Sequence, residues 1–145
     1  MLLFKGMEEG NFLDVMEEYC AEEFVWQNSG LPMLCGQTAV RELMSNGGFR
    51  TEIPILAEQT HFSADVLHIA SRDGAVLTER IDHHWAEDGR DLMTPHICGV
   101  AEIREGRISA FRDFYDVACY EQTPTPVQPG FSLTEFRAAQ AAGTA

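Results

Sequence analysis

Arg80, Asp82 and Asp113 are the residues of this chain whose types and spacing best suit joint chemistry. Arg80 and Asp82 stand two apart in Thr78-Glu79-Arg80-Ile81-Asp82. In a strand, residues two apart share a face, about 7 Å from each other. Thr78, Arg80, Asp82 and His84 therefore point the same way. By the same parity Phe111, Asp113 and Tyr115 share one face of a later strand, and Arg112 and Phe114 the other. Where the two strands neighbour each other, the forked guanidinium of Arg80 reaches both carboxylates. Two carboxyl groups in one buried site do not both ionise cheaply, so their pKa values split. One can then take a proton from water while the other gives one to a substrate oxygen, with no metal, cofactor or covalent intermediate. On spacing alone the pair also reads as a surface ion pair of little worth, and Asp116, on the opposite face, rivals Asp113 as the base.

The elements that must position these residues follow from pattern. Asn11 can cap a helix in which Phe12, Val15, Met16 and Tyr19 recur at helical spacing, ending near Glu22-Glu23. Phe24 to Asn28 reads as a short strand closed by Ser29-Gly30-Leu31-Pro32. A second helix spans 37–45 and stops at Asn46-Gly47-Gly48. Three glycine turns follow, at Arg72-Asp73-Gly74, Glu87-Asp88-Gly89 and Arg104-Glu105-Gly106. They divide a four-stranded antiparallel meander at 59–70, 75–86, 91–104 and 107–117. Helices first and a long meander after give an α+β domain over 1–122. The stretch 123–145 is a proline-containing tail. Ser132 and Glu135 there form a capping box before a short helix at 136–141.

Bulk properties exclude several functions. The chain has 145 residues and a formal net charge of −13, with 23 acidic and 10 basic residues. Such a balance repels nucleic acid and anionic membranes on average and accommodates a small neutral molecule more easily, though it mainly serves solubility and specifies no chemistry. The cysteines, Cys20, Cys35, Cys98 and Cys119, have no CxxC spacing and read as reduced, buried small hydrophobes. No helical His spacing suggests a metal. There is no phosphate loop or nucleophile elbow. The short apolar start is no export signal, which makes the cytoplasm the expected location.

Trp26-Gln27-Asn28-Ser29-Gly30-Leu31-Pro32, Thr78-Glu79-Arg80-Ile81-Asp82 and Phe111-Arg112-Asp113-Phe114-Tyr115-Asp116 resemble three signature stretches of the limonene-1,2-epoxide hydrolase family. Gly36 with Ala39-Val40, and Ile97-Cys98-Gly99-Val100, are similar to it as well. The likeness runs from about Val15 to Tyr120. It implies a nuclear-transport-factor-like cone, in which a curved mixed sheet and helices close an internal pocket, and usually a homodimer. The implied reaction adds water to an epoxide to give a vicinal diol. Asp113 would be the base on water, Asn28 the water holder, Asp82 the acid at the epoxide oxygen and Arg80 the bridge. His84, Pro95, Ile97, Tyr115 and Tyr120 would line the substrate pocket.

This chain departs from that pattern. Trp26 stands where the family has a water-holding tyrosine, and an indole N–H donates but cannot accept. The part before the Asn11 helix is short. The stretch 47–59 is longer than its counterpart, with Ile53-Pro54-Ile55-Leu56 as an apolar centre expected to cap the pocket. His61, His84 and Pro95 replace expected aliphatic residues. His84 is expected to shape the pocket or to bond Asp82 or substrate, and could stand near His96 or Cys98. Without the resemblance, Asn28 reads equally as a turn residue and Trp26 as core. Two other functions fit the same cone: an isomerase or cyclase using one aspartate on a carbon acid, and a small-molecule-binding dimer without turnover.

Overall fold

The computed structural model describes residues 2–121 and 133–143. Two short helices open the chain, α1 (Leu2–Glu8) and α2 (Phe12–Tyr19). Met16, on the apolar stripe of α2, has no exposed surface. Asn11 occupies the N-cap position, but through its carbonyl. That oxygen accepts from the amides of Asp14 and Val15, both at 3.2 Å, while the side chain makes no cap bond. The helix stops at Tyr19 rather than at Glu22-Glu23. Cys20 turns extended, at φ −98° and ψ 149°, and pairs with Ile108, so pairing with the far end of the chain overrides local helical pattern.

Strand β1 (Cys20–Asn28) is therefore longer than the pattern suggests, with a register shift between Cys20 and Val25. It is followed by β2 (Leu34–Cys35) and α3 (Gly36–Ser45), whose Val40 is fully buried. Two single turns of 3-10 helix, Gly48–Arg50 and Pro54–Leu56, fill the long loop and carry Phe49, Ile53 and Leu56 inward.

Then comes β3 (Gln59–Arg72), paired with β4 (Ala75–Ala86) through a tight turn in which Asp73 and Gly74 both have positive φ, 52° and 78°. Glu105 and Gly106 repeat that turn, at 51° and 77°. The expected strand at 91–104 is two strands, β5 (Asp91–Met93) and β6 (His96–Arg104). Pro95 breaks it, because proline cannot donate to a ladder. Its carbonyl still accepts from Asp82 N at 3.2 Å. The last strand, β7 (Arg107–Phe114), ends before 117. Asp116 caps a 3-10 turn at Val117–Tyr120, accepting from Ala118 N at 2.9 Å. A further helix, α4 (Leu133–Gly143), is longer than the expected 136–141. The proline-containing stretch and Ser132 of the capping box lie outside the described residues.

The described strands form one curved seven-stranded sheet in the order β2-β1-β7-β6-β4-β3, with β5 added on β4. All pairs are antiparallel except β1 with β7, which is parallel and makes the sheet mixed. Two buried clusters pack on its inner face. One joins α1, α2, α3, β1 and β7 through Phe4, Met16, Val40, Trp26 and Phe111. The other joins the long loop to β5 and the last turn through Ile53, Leu56, Met93 and Cys119. Cys35 and Cys98 are exposed, in contrast to the burial expected of all four cysteines. Cys98 takes the outer face of β6, opposite Glu79.

Candidate active site

A cavity opens between the inner face of the sheet and the helices, with walls drawn from both buried clusters. Strand parity sets its polar floor. Thr78, Arg80 and Asp82 are all buried on the inner face of β4, and Asp113 is buried on that of β7. Between them runs β6, where Gly99 faces Thr78 on one side and Asp113 on the other. A Cβ at Gly99 would lie 2.5 Å from Arg80 Nη1, 2.7 Å from Thr78 Oγ1 and 2.9 Å from Asp113 Oδ1. The missing side chain is the space that lets Arg80 cross β6 to β7. The sequence pattern shows Gly99 but gives no hint of this role.

Arg80 grips both carboxylates in two-pronged fashion. Nε donates to Asp82 Oδ1 at 2.8 Å and Nη2 to Asp82 Oδ2 at 3.2 Å. Nη1 donates to Asp113 Oδ1 at 2.9 Å and Nη2 to Asp113 Oδ2 at 2.6 Å. The guanidinium also lies over the ring of Phe4, 4.6 Å from its centroid, and 5.6 Å from that of Phe111. Neither contact is apparent from spacing.

Burial dominates the electrostatics. It pushes Asp82 up to about 6 against the pull of Arg80, with the Asp113 charge adding to the rise. Burial likewise raises Asp113, again opposed by Arg80. Arg80 is itself raised, because the two carboxylates outweigh its desolvation. Two aspartates and one arginine carry a net negative charge when both acids are ionised, and none when one proton is retained. Burial therefore favours retention of a proton on the pair, and Arg80 opposes it.

Asn28 ends β1 beside Asp113, its register partner in the parallel pair. The next residue locks this junction. Ser29 N and Ser29 Oγ donate to Asp113 O at 3.1 and 3.2 Å, and Tyr115 N donates to Ser29 Oγ at 3.1 Å. Tyr120 OH donates to Ser29 O at 2.6 Å, which leaves its oxygen to accept from Tyr115 OH at 2.5 Å. Burial keeps both phenols protonated, with Tyr120 pushed up to about 12.

Trp26, two residues before Asn28, lies on the cavity wall between Phe12 and Phe49, with ring centroids at 5.4 and 5.3 Å. Its Nε1 is buried without a hydrogen-bond partner among the described residues.

Asn28, Trp26, Arg80, Asp82, His84, Pro95, Ile97, Asp113 and Tyr115 all line the cavity. Tyr120 does not. It stands one layer back, packed on the cluster of Ile53, Leu56 and Met93 and bonded to the Tyr115 hydroxyl. Asp116 is committed to its turn. His61 points outward, exposed beside Thr60. His84 is not near His96 or Cys98, because β6 places those on the outer face, where His96 Nε2 meets Glu79 Oε1 at 2.8 Å. Nor does His84 bond Asp82. Its partners across the ladders are Phe62 and Met93, and its Nδ1 is buried without a partner among the described residues. Burial pushes its pKa down to about 3, so the ring is neutral. Phe49, Ile53 and Leu56 of the long loop cap the cavity.

A cone of curved mixed sheet around a buried Arg–Asp–Asp constellation defines a class of small pocketed proteins with acid–base potential. Comparison with known proteins specifies it further. Residues 2–123 match the family model for the limonene-1,2-epoxide hydrolase catalytic domain, and the chain belongs to that family. It is 29% identical over 109 residues to Epoxide hydrolase EphG of Mycobacterium tuberculosis. That match takes in 72% of this chain and 62% of the relative, so the chain spans less than two thirds of the curated relative's length. Among solved structures it resembles an M. tuberculosis LEH-like epoxide hydrolase, with a TM-score of 0.64, 22% identity and coverage of 82% of this chain and 76% of that one. It also resembles a SnoaL-like polyketide cyclase from Jannaschia sp., with a TM-score of 0.60, 14% identity and coverage of 83% and 86%. These likenesses establish the nuclear-transport-factor-like fold.

Proposed function

We propose that the protein hydrolyses a small or medium apolar epoxide to a vicinal diol in one step. The observation that carries this reading is the two-pronged hold of Arg80 on both Asp82 and Asp113 at the floor of a largely apolar cavity. Asp113, ionised, accepts a proton from water. The water oxygen attacks an epoxide carbon, the carbon–oxygen bond of the ring breaks, and Asp82 gives its proton to the departing oxygen. One water and one epoxide become one diol, and a proton passed from Asp113 to Asp82 restores the starting state. Arg80 keeps the pair near neutrality throughout.

Trp26 finds a place in this scheme. A water has two hydrogens and two lone pairs. Asp113 and the Asn28 amide oxygen take the hydrogens, and one lone pair attacks. The remaining lone pair suits a donor, which Trp26 Nε1–H supplies. Family membership, the similarity to EphG and the unpartnered Nε1 support this reading.

The test is turnover of a panel of cyclic and linear epoxides in heavy-oxygen water, read by mass spectrometry. Diol carrying one labelled oxygen is expected. A product without label would turn the reading toward an isomerase or cyclase of the same fold. Asp113→Asn should abolish diol formation in a protein that still folds, and continued turnover would remove Asp113 as the base.

A further inference from the structure

Among the polar side chains on the cavity wall with a nitrogen or oxygen, only Tyr115 and His84 have no part in the scheme above, and Tyr115 already has a partner. Arg80, Asp82 and Asp113 hold one another, Asn28 and Trp26 hold the water, and the Tyr115 hydroxyl is bound to Tyr120. His84 lines the same wall, yet its Nδ1 is buried without a hydrogen-bond partner among the described residues. A buried polar atom without a partner costs stability, and native proteins retain few of them. Core packing would be served better by an aliphatic residue, since the neighbours are Phe62, at 5.4 Å between ring centroids, and Met93 across the ladder.

The position restricts what could pair with it. His84 stands two residues beyond Asp82 on the same face of β4, about 7 Å along the strand. It also borders a groove that shares Met7, Phe12, Phe49 and Phe62 with the cavity, so it marks the junction between the interior and an outer cleft. The ring is neutral, with a pKa near 3, which removes the charge that would attract a carboxylate or phosphate. A neutral imidazole nitrogen bonds a hydroxyl in either tautomer, as acceptor or as donor.

We infer that the substrate is an epoxy alcohol, with its ring at Asp82 and its hydroxyl on the imidazole of His84, about 7 Å farther toward the groove that the same ring lines. This rests on the epoxide hydrolase reading and narrows it from apolar epoxides in general to those with one neutral oxygen function at a set distance from the ring.

The experiment compares epoxyhexane with its terminal hydroxy analogue, by kcat/KM for diol formation, in the native protein, His84→Phe and His84→Gln. The native protein should favour the hydroxy epoxide about tenfold, the worth of one well-made neutral hydrogen bond. His84→Phe should bring the ratio close to one, and His84→Gln, which keeps a donor and an acceptor, should restore part of it. Thermal melting of each variant controls for folding, and the glutamine variant carries the test if the phenylalanine one does not fold. Equal rates on both epoxides in the native protein would overturn the inference and leave the hydrolase reading standing. So would a preference that survives both substitutions. Absence of diol from every epoxide tried would overturn both.

Discussion

Strand β4 carries ion pairs on both of its faces, and adjacent residues behave in opposite ways. On the inner face Arg80 binds Asp82 with both side chains nearly sealed, at 2% and 8% exposure. On the outer face Glu79 binds His68 at 2.6 Å and His96 at 2.8 Å, with His68 76% exposed. The pairs are similar in length but stand in different media. Inside, loss of water outweighs the cation and raises Asp82. Outside, the hydrogen bond from His68 is the largest influence and lowers Glu79. An ion pair thus becomes a proton-holding device only where burial opposes it. Neighbouring positions on one strand separate a candidate reaction centre from an ordinary surface contact.

The strongest way to break this contrast is to remove the inner cation. Arg80→Met should leave two buried acids without a partner, cost about 3–5 kcal/mol of stability and abolish diol formation. Chemical denaturation and turnover measure both effects. Substantial remaining activity would mean that the bridge is structural only.

Gly99→Ala tests the same centre by a smaller insult. Its methyl would meet Arg80, Thr78 and Asp113 within 3 Å. Activity should fall by about 10- to 100-fold, as a displacement near 1 Å at a reacting centre does. Cys98→Ala, the adjacent exposed residue, should leave kcat unchanged. Equal effects at the two positions would contradict the assignment of faces.

The pH dependence of stability sharpens the contrast further. Asp82 has a folded pKa near 6, above its usual value of 3.8, so it binds more protons when folded and its contribution is lost as pH rises from about 4 to 6. His84 does the reverse. Its folded value near 3, against 6.5, makes the unfolded chain bind the proton, and stability rises with pH from about 3 to 6.5. The two slopes oppose each other across a shared window. Asp82→Asn should tilt the profile upward with pH, and His84→Phe should tilt it downward. Urea melts at several pH values between 4 and 6.5 read both slopes, and tilts of the same sign would refute the pairing.

The smallest effect is expected outside. Glu79→Gln should change diol formation less than twofold and stability by about 1 kcal/mol, since its His68 partner is exposed and its His96 partner is part-buried. A large loss of activity there would mean that the outer face communicates with the site.

The inner face of the meander was legible because a period of two is a local property. Thr78, Arg80, Asp82 and His84 needed only the strand to exist, and Phe111, Asp113 and Tyr115 likewise. Three features escaped that logic. The start of β1 at Cys20 depends on pairing with Ile108, which no local pattern encodes. The break at Pro95 was written in the sequence, but an apolar run on both sides concealed it. The parallel pairing of β1 with β7 does not follow from a meander of hairpins and was available only through the family resemblance. At the site, parity placed the charged residues, while the passage through Gly99, the Phe4 ring over Arg80 and the Ser29 lock are contacts between distant segments. Parity also could not tell His96 from His84 as neighbours until register was known.

The Ser29 lock has a consequence for the order in which the site is made. Ser29 and Asp113 are 84 residues apart, whereas Arg80 and Asp82 share one strand of a hairpin. Closing the longer loop costs more chain entropy and comes late in folding. Asp82 and Arg80 should therefore be in place before Ser29 seats the end of β1 beside Asp113. Pulse-labelled hydrogen exchange during refolding should protect the amides of β4 before that of Ser29, so that the junction of Asn28 with Asp113, where the proposed scheme holds its water, is the last part of the site to form.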